Sequence, residues 1–366
     1  MIKVTLTNEI LRYITEIEQN RYKVSSVKLS KTVMNKLRKN SKKKSSYASN
    51  KIEGNPLSEK QVDEVIESDE RKHYLKPEQE VRNYFLALNY LEEKVSKKEK
   101  FSTKLILDVQ KLVEKGASKE KIGLRGPMPP GVLFAVYDSK TGNPDYIPPE
   151  YCDIPGLLDE LVEYVNTTDD HPLIVAAVVH YQLVTIHPFE DGNGRTARLL
   201  SGYIMDLNGY GFNGIGSLEE YFAYDIDEYY ESIQMGLPAL YYSGRENPSH
   251  PEIWINYFLR MVKLYSGKVC DLQLASEEED ITGSLSFLKG KEKELLQFLI
   301  KNYKGEFTPI EVSRKLSVTN KTIINRLAVL VKNGFVVPIL VNERIRSYEL
   351  SEFTRGHEKE IIKVIS

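Results

Sequence analysis

A mainly α-helical fold is predicted for this chain, with one small β-hairpin before its centre and a C-terminal domain of helices followed by two strands. Apolar residues recur at spacings of three and four through most of the sequence, which is the pattern of a buried helix face. The two clearest helices, from Leu173 to Ile186 and from Leu199 to Leu207, flank one short glycine-containing stretch. This stretch therefore lies in the middle of the predicted core.

Composition limits the classes of protein to consider. The chain has 366 residues, enough for two or three domains, with 41% apolar residues, 28% charged residues and a net charge of −2. A charge so near zero gives no overall attraction to nucleic acid or to a membrane. Cys152 and Cys270 are too far apart in sequence for a metal motif, so a reducing cytoplasm is expected. We expect no membrane span and no signal peptide.

The N-terminal segment is predicted to extend over 1–95 and to be helical. Six Lys and Arg residues lie within the nine positions 36–44. Such a run is most often a solvated face and less often a nucleic-acid patch, and we favour the solvated face because few aromatic residues are interleaved. Gly54, followed by Asn55 and Pro56, indicates the end of a helix.

Further helices and the hairpin follow in order. Ser58 begins a capping-box pattern, Pro77 lies at a helix start, and Ser102 caps a helix that ends at Gly116. The Pro- and Gly-rich stretch after Gly116 cannot be helical. The next apolar segments predict two short strands, 132–137 and 145–147, joined by a turn over 138–143; a helix with Leu157, Leu158, Leu161, Val162 and Val165 then leads to the central pair.

The stretch between the central helices runs His187-Pro-Phe-Glu-Asp-Gly-Asn-Gly-Arg-Thr-Ala-Arg198. Its glycines permit a tight turn, and the N–H groups at the start of the next helix favour an anion. Arg195 and Arg198 are three residues apart and project from one side of that helix. Asp191 is a hard oxygen ligand beside this anion site, which suits Mg²⁺ shared with phosphates. His187 can accept a proton at neutral pH.

Each of these features alone is typical of ordinary structure, but in this order they resemble the Fic family signature, His-Pro-Phe-x-Asp/Glu-Gly-Asn-Gly-Arg-x-x-Arg. The resemblance implies a Fic helical core and the transfer of a nucleoside monophosphate, usually AMP from ATP, to a protein hydroxyl. It implies that His187 is the catalytic base, that Asp191 binds Mg²⁺, and that Arg198 grips the terminal phosphate. The remaining nucleotide-binding positions that it implies are Glu190, Gly192, Asn193, Gly194 and Arg195.

A second match to the family lies about 140 residues upstream. Fic proteins with an N-terminal inhibitory helix carry Ser/Thr-x-x-x-Glu-Gly/Asn, and Ser49, Glu53 and Gly54 fit this pattern within a predicted inhibitory helix at about 45–54. The resemblance implies that the Glu53 carboxylate pairs bidentately with the Arg198 guanidinium. ATP would then have to displace Glu53 in order to seat its γ-phosphate.

Two further features of the family have counterparts here, both with departures. A flap, predicted at about 124–147, would dock the target protein by backbone pairing, but it is Pro-rich and lacks the usual Gln in its first strand. Tyr229 and Tyr230 would line the adenine pocket. The Asn that often follows seven residues later is Leu237, which puts one polar contact to the nucleotide in doubt.

A polar segment over 271–290 is predicted to be a linker, after which the helical pattern restarts. Residues 291–366 predict three helices, the second and third capped by Thr308 and Thr319, and two strands. This order resembles a winged helix-turn-helix. From residue 291 onward there are 14 Lys and Arg against nine Glu, a net charge of +5, so DNA binding through 308–346 and protein contact are both open.

The sequence as a whole predicts a Fic catalytic core over 96–270 and an adenylyltransferase that is inhibited by Glu53. Its substrate would be ATP with Mg²⁺, and its acceptor a Tyr, Thr or Ser hydroxyl of a target protein or of the chain itself. Two alternatives remain open, namely removal of AMP at the same site and a DNA-binding regulator whose core senses nucleotide. A homodimer is also open.

Overall fold

The computed structural model describes residues 2–27, 29–68, 71, 73–118, 122–137, 142–237, 248–341 and 344–365, with the backbone alone at 278–280 and 282. It divides into two compact units. The first unit comprises Met1–Arg21 and Arg38–Val269, and the second comprises Tyr22–Leu37 and Cys270–Ser366. None of the described helices combines the length and the apolar character needed to cross a bilayer.

Helices dominate the described chain, as predicted, and the strands form two small hairpins. The α-helices are α1 (Asn8–Ser26), α2 (Lys31–Ile52), α3 (Glu59–Glu67), α4 (Lys76–Ser96), α5 (Thr103–Glu114), α6 (Ile154–Thr167), α7 (Pro172–Ile186), α8 (Asn193–Leu207), α9 (Glu219–Phe222), α10 (Ile226–Gln234), α11 (Pro251–Ser286), α12 (Gly290–Asn302), α13 (Pro309–Leu316), α14 (Asn320–Lys332), α15 (Glu352–Gly356) and α16 (Glu358–Ile365). The strands are β1 (Val136–Tyr137), β2 (Pro144–Tyr146), β3 (Val336–Val341) and β4 (Arg344–Leu350), and two short 3₁₀ helices lie at Tyr151–Asp153 and Phe212–Gly214.

The core of the first unit is built on α7 and α8, which pack against each other. Helix α7 has no charged residue and is buried at nearly every position, so it forms the centre of the unit. Helices α4 and α5 pack against α8. Both helices begin near the caps predicted from the sequence, with Pro77 in the first turn of α4 and Ser102 accepting the Leu105 N–H at the start of α5. The glycine-containing stretch is thus held between two buried helices.

The basic run of α2 is only partly the solvated face that we predicted, because Lys36, Lys39 and Lys44 are exposed while Lys42 and Lys43 are not. Four of its lysines form ion pairs with carboxylates of neighbouring helices, namely Lys39 with Glu67 (3.7 Å), Lys42 with Glu92 (2.5 Å), Lys43 with Glu67 (2.7 Å) and Lys44 with Glu220 (3.1 Å). The ammonium-bearing side chain of Lys43 is almost fully buried. A run of like charges is solvated when no carboxylates lie nearby in the fold. Here α3, α4 and α9, which lie further along the sequence, supply carboxylates that pair with the lysines. These ion pairs hold the second half of α2 against the other helices of the first unit.

The hairpin is shorter than predicted. Strand β1 covers only two residues, Val136 and Tyr137, rather than 132–137, and it pairs antiparallel with β2. Continuing the antiparallel ladder beyond the Val136–Tyr146 pair would bring Pro148 and Pro149 opposite the residues that precede β1. Proline has no N–H to donate, so the ladder cannot extend toward the Pro-rich side. Most of the predicted turn, 138–141, lies outside the described residues.

The second unit has the element order predicted for its C-terminal part. Thr308 and Thr319 cap α13 and α14 as expected, and β3 pairs antiparallel with β4. The turn residues 342 and 343 lie outside the described residues. The segment predicted as a linker, 271–290, is helical as far as Ser286. It contributes Ile281, Leu285 and Leu288 to the buried core of this unit, a four-and-three spacing that the polar residues before it concealed.

This core predicts where an independently folding C-terminal fragment must begin. A fragment 270–366 should melt cooperatively, whereas 291–366 lacks three buried apolar side chains, each contributing roughly 1.5–3 kcal/mol to the free energy of unfolding. Thermal unfolding followed by circular dichroism checks this. Within 270–366, Leu285→Ala should lower the melting temperature and Phe287→Ala should not, because Leu285 is buried and Phe287 is exposed. Equal melting temperatures for the two fragments would contradict the expectation.

Candidate active site

The loop between α7 and α8 begins and ends with residues in the left-handed backbone region. His187 ends α7 at φ +48°, ψ +58°, and Gly192 precedes α8 at φ +81°. A side chain at position 192 would also collide with α5, because a Cβ there would lie 2.8 Å from Oε1 of Glu114. Gly192 is therefore required both for its conformation and for the close approach of the loop to α5.

The loop is fixed from within by Asn193 and Phe189. The Asn193 side chain accepts a hydrogen bond from the Phe189 N–H at 3.0 Å and donates one to the Phe189 carbonyl at 2.9 Å. Phe189 is 1% exposed, so its ring anchors the loop in the core. Asn193 thus closes the turn, and in this structure its side chain serves the loop itself.

Two residues that sequence reasoning missed, Arg125 and Gln110, fix the loop from outside. The Arg125 side chain donates from Nε to the His187 carbonyl at 2.8 Å, and its backbone N–H donates to the Pro188 carbonyl at 2.9 Å. Gln110 of α5 donates to the Asp191 carbonyl at 3.3 Å and accepts the Gly123 N–H at 3.1 Å. The start of the flap and the candidate base are therefore tied together.

The His187 imidazole is set up to accept a proton. Its Nδ1 lies 3.2 Å from the Val184 carbonyl, and because a carbonyl only accepts, Nδ1 carries the hydrogen and Nε2 carries the lone pair. Burial lowers the pKa of His187 to about 4, although the Val184 hydrogen bond opposes this, so the ring is neutral at neutral pH. The Phe134 ring of the flap segment lies 5.9 Å from the imidazole, between ring centroids.

Arg195 does not point away from the protein toward open solvent. Its guanidinium donates to Glu114 Oε1 at 2.8 Å and to Asp191 Oδ1 at 3.3 Å, and both Arg195 and Glu114 are buried. Burial raises the pKa of the Glu114 carboxyl to about 7, against the opposing effect of Arg195. Glu114 was not found from the sequence, because its partner lies 81 residues away. The pair braces the first turn of α8 and the position of Asp191.

Asp191 is the candidate metal ligand. Its Oδ1 accepts the Gly192 N–H at 2.8 Å, and its side chain is 29% exposed. Among the described residues, no three His, Cys, Asp or Glu side chains form a group that could hold a metal by themselves. Mg²⁺ is commonly held by one or two carboxylates together with substrate phosphates. The single carboxylate of Asp191 therefore fits an ion that binds together with a nucleotide, not a resident metal centre.

Arg198 is buried and lies among partners on two sides. Toward α2, Nε donates to Ser49 Oγ at 2.8 Å, and Nη2 donates to the Ser49 carbonyl at 3.1 Å and to Glu53 Oε1 at 2.5 Å. Toward the core, Nη1 donates to the Tyr229 hydroxyl at 3.3 Å. Burial alone would lower the pKa of Arg198, but Glu53 raises it overall, so the guanidinium stays charged.

The expected contact between Glu53 and Arg198 is therefore present, but it is not bidentate. Only Oε1 of Glu53 reaches the guanidinium, because Ser49 occupies its other edge. Glu53 follows the last residue of α2, and Gly54 adopts φ +80° as a helix-terminating glycine. A Cβ at Gly194 would lie 2.4 Å from Glu53 Oε1. The carboxylate thus lies directly over the N-terminus of α8, where the sequence predicts an anion.

The remaining predicted positions divide by exposure. Tyr229 is 1% exposed and packs within an aromatic cluster, whereas the ring of Tyr230 is 44% exposed. Tyr230 is thus the more accessible of the two, and a place in an adenine pocket stays a prediction for both residues. Glu190 is exposed at the outer edge of the loop.

Residues 100–205 match the Fic/DOC family. Protein adenylyltransferase Fic of Drosophila grimshawi is 27% identical over 206 residues, which cover 54% of this chain and 40% of that protein. Protein adenylyltransferase fic-1 of Caenorhabditis briggsae is 34% identical over 152 residues, covering 40% of this chain and 27% of that protein. The chain thus spans about two fifths or less of the length of these relatives.

Solved structures show the same fold. A Fic family protein from Desulfovibrio desulfuricans G20 superposes with a TM-score of 0.59 at 20% identity and covers 96% of this chain and 98% of its own. Fic-1 from C. elegans (residues 134–508) superposes with a TM-score of 0.56 at 23% identity, covering 74% of this chain and 73% of its own. Together with the signature loop between α7 and α8, the matched segment shows that this chain carries, over residues 100–205, a domain of the Fic/DOC family.

Proposed function

We propose that this chain is a protein adenylyltransferase, which moves AMP from ATP to a Tyr, Thr or Ser hydroxyl of a target protein or of itself, and that Glu53 inhibits it. One observation carries the proposal: a neutral imidazole, an anion-binding helix N-terminus and a buried arginine lie in one loop–helix unit, with Glu53 against that arginine. The names of the curated relatives agree with this activity.

The chemistry assigned to the site is a single displacement at phosphorus. His187 Nε2 accepts the proton of the target hydroxyl, whose oxygen attacks the α-phosphorus of ATP. The new P–O bond forms as the bond to the β-phosphate oxygen breaks, and pyrophosphate leaves. The N–H groups of the Gly192–Gly194 turn stabilise negative charge at the phosphates. Asp191 would hold Mg²⁺, which neutralises phosphate charge when it is bound.

Arg198 is assigned to the terminal phosphate of ATP because its carboxylate partner, Glu53, lies in the turn after α2 over the N-terminus of α8, whereas Arg195 is held by Glu114, a buried residue of α5. A γ-phosphate offers the same charge and the same acceptor oxygens as that carboxylate. Arg195, held by Glu114, keeps the loop and Asp191 in place. Tyr230 and Glu190 would contact the nucleoside at the open side of the site.

The flap is assigned to the target protein. Leu133 and Tyr137 are exposed there, and β1 and β2 form only a two-stranded hairpin. An extended target segment could add to such an edge by backbone pairing, which would place its hydroxyl near His187. Arg125, at the start of the flap, supports this placement, since it contacts the His187 carbonyl of the signature loop and the Pro149 carbonyl just after the end of the flap.

Incubation with ATP labelled at the α-phosphate, with Mg²⁺, tests the proposal. Label should appear on the protein itself or on proteins of a cell lysate, and more strongly with the Glu53→Gly variant. ATP labelled at the γ-phosphate should give none, because pyrophosphate leaves. Absence of α-phosphate label from both forms would contradict transferase activity. Release of AMP from a labelled target by wild type, lost in Glu53→Gly, would favour AMP removal instead.

The pH dependence of transfer follows from the lowered pKa of His187. A base with a pKa of about 4 is neutral at every pH above roughly 5, so kcat/KM should stay level between pH 5.5 and 7.5 as far as this group is concerned. Protonation should abolish transfer as the pH falls below about 4.5. Rates of the Glu53→Gly variant, with ATP binding measured at each pH, check this. A midpoint near 6.5 would instead indicate an imidazole open to water.

We also propose that α13, α14, β3 and β4 of the second unit form a winged helix that binds DNA. On α14, Lys321 and Asn325 are exposed and Arg326 is half-buried, while Ile323 and Leu327 of the same helix are buried. This exposed polar face supports the proposal that α14 acts as a recognition helix in a DNA major groove. Binding of the full chain to duplex DNA should weaken steeply as salt is added. Failure to bind any duplex at low salt would indicate a protein-contact module.

A further inference from the structure

The partners of the Arg198 guanidinium differ in position: Glu53 lies in a turn, whereas Tyr229 lies in the core. Glu53 lies in the turn after α2 and would have to move for a γ-phosphate to bind. Tyr229 lies in α10 within the core, and its hydroxyl accepts a hydrogen bond from Nη1 of Arg198 at 3.3 Å. Movement of Glu53 leaves this second contact in place. The hydrogen bond to Tyr229 therefore still restricts the position of the Arg198 guanidinium.

The Tyr229 hydroxyl is itself held by His180 of α7. The two groups are 2.8 Å apart, between Tyr229 Oη and His180 Nε2. A guanidinium only donates, so the Tyr229 oxygen accepts from Arg198. Within the described residues, His180 Nε2 is the acceptor in reach of the hydroxyl hydrogen, and we assign the bond in that direction. Burial, together with the charge of Arg198, keeps the pKa of His180 well below its usual value, so the imidazole is neutral and can accept.

His180 is a costly residue to place in this position. It is fully buried among the rings of Phe222, Trp254 and Phe258, and its Nδ1 has no hydrogen-bond partner among the described residues. A buried polar atom without a hydrogen-bond partner is destabilising. An apolar side chain would suit this aromatic cluster better. The imidazole differs from an apolar ring at this position in that its Nε2 forms a hydrogen bond with the Tyr229 hydroxyl.

We propose that Tyr229, oriented by His180, is a positioning residue that holds the Arg198 guanidinium in its phosphate-binding place after Glu53 has moved. This inference rests on the proposed function, in which Arg198 grips the terminal phosphate of ATP. It assigns a role to a tyrosine that is 1% exposed and to a buried histidine of α7, the helix that leads into the signature loop. The chain His180–Tyr229–Arg198 crosses α7, α10 and α8.

The test compares the affinities for ATP and ADP, since only ATP carries the phosphate assigned to Arg198. The full chain carries Glu53→Gly to free Arg198 and His187→Ala to prevent turnover, and titration calorimetry gives both dissociation constants. In this background ATP should bind more tightly than ADP. Adding Tyr229→Phe, which removes only the hydroxyl, should reduce the ATP/ADP affinity ratio by about five- to tenfold, since the lost hydrogen bond is to a charged group. General damage to the fold would weaken both nucleotides equally.

His180 is tested in the same background. His180→Phe removes the acceptor and should lower the ATP/ADP ratio, whereas His180→Gln keeps an acceptor and should restore part of it. Tyr257→Phe is the matched control, because Tyr257 is buried in the same aromatic cluster and its hydroxyl has no hydrogen-bond partner within the described chain. The ATP/ADP affinity ratio of the Tyr257→Phe variant should be unchanged. In an Arg198→Ala background, Tyr229→Phe should have no further effect on the ratio.

The outcomes separate this inference from the proposed function. If the starting background shows no preference for ATP over ADP, the assignment of Arg198 to the terminal phosphate is wrong and the positioning role is wrong with it. If that preference exists and Tyr229→Phe retains it, the proposed function stands and the positioning role of Tyr229 is overturned. An equal loss with Tyr257→Phe would also overturn it, since any hydroxyl in the cluster would then act alike.

Discussion

Replacement of His187 by Ala is expected to lower AMP transfer by roughly a hundred- to ten-thousandfold, the usual contribution of a positioned general base. The structure supports this expectation through the tautomer of the ring, because the Val184 carbonyl fixes the hydrogen on Nδ1 and leaves Nε2 to accept. The neutral state of the ring follows from its lowered pKa. ATP affinity should change little, since the phosphates are assigned to the N-terminus of α8 and to Arg198.

The measurement uses the Glu53→Gly form, in which transfer is expected to be fast enough to quantify a large loss. Transfer is followed with ATP labelled at the α-phosphate, and ATP binding by calorimetry. His250→Ala is a suitable control, because His250 is exposed and its contact is a pair with Glu252 at 3.0 Å, outside the loop. Undiminished labelling by the His187→Ala form would remove His187 from the mechanism.

The parts of this site that could be predicted from the sequence lie within a single loop and helix. Gly192 and the apolar spacing of α7 and α8 are local features, and a left-handed turn entering a buried helix follows from them. The contact between Glu53 and Arg198 spans 145 residues, and it could be expected only because the resemblance to the family supplied it. Its single-oxygen geometry could not, since that depends on Ser49 occupying the other edge.

The supporting residues could not be predicted, because each depends on packing between elements distant in sequence. Gln110, Glu114 and Arg125 are ordinary residues in an amphipathic helix and a Pro-rich stretch. Their functions appear only when α5 and the flap are placed against the signature loop. The lysines of α2 show that packing can also change a prediction made from local sequence. Their run of like charge predicted a solvated face, but several of them pair with carboxylates of other helices. Whether a charged side chain can be buried depends on oppositely charged residues nearby in the fold, and these lie outside the local sequence around it.

Glu53→Gly is expected to raise transfer to the protein itself and to targets by roughly ten- to a hundredfold. A hydrogen bond between a carboxylate and a guanidinium contributes about 1.5–3 kcal/mol, and each 1.4 kcal/mol is a factor of ten. We expect the lower end of this range, because the Glu53 side chain is 33% exposed and solvent screens the pair. ATP need not displace the carboxylate in the variant, so its γ-phosphate reaches Arg198 directly.

Several variants together test whether the charge of Glu53, its contact with Arg198 or another property causes inhibition. Glu53→Gln keeps the size of the side chain and removes its charge, so it should give an intermediate rate. Glu59→Gln, which neutralises an exposed carboxylate in the first turn of α3, should leave the rate unchanged. Arg198→Ala should not resemble Glu53→Gly, because it removes the phosphate grip together with the inhibitory contact.

The rates also distinguish the competing functions. If AMP removal is the main activity, Glu53→Gly should lose that hydrolysis and modified target should accumulate, because Glu53 would then position the attacking water. If the core only senses nucleotide, labelling should be absent in wild type and variant alike. If Glu53 inhibits transfer, the variant is faster and its rate falls again when His187→Ala is added. Equal rates for wild type and Glu53→Gly at saturating ATP would contradict inhibition, and the 2.5 Å contact with Arg198 would then be a structural ion pair that closes α2 onto α8.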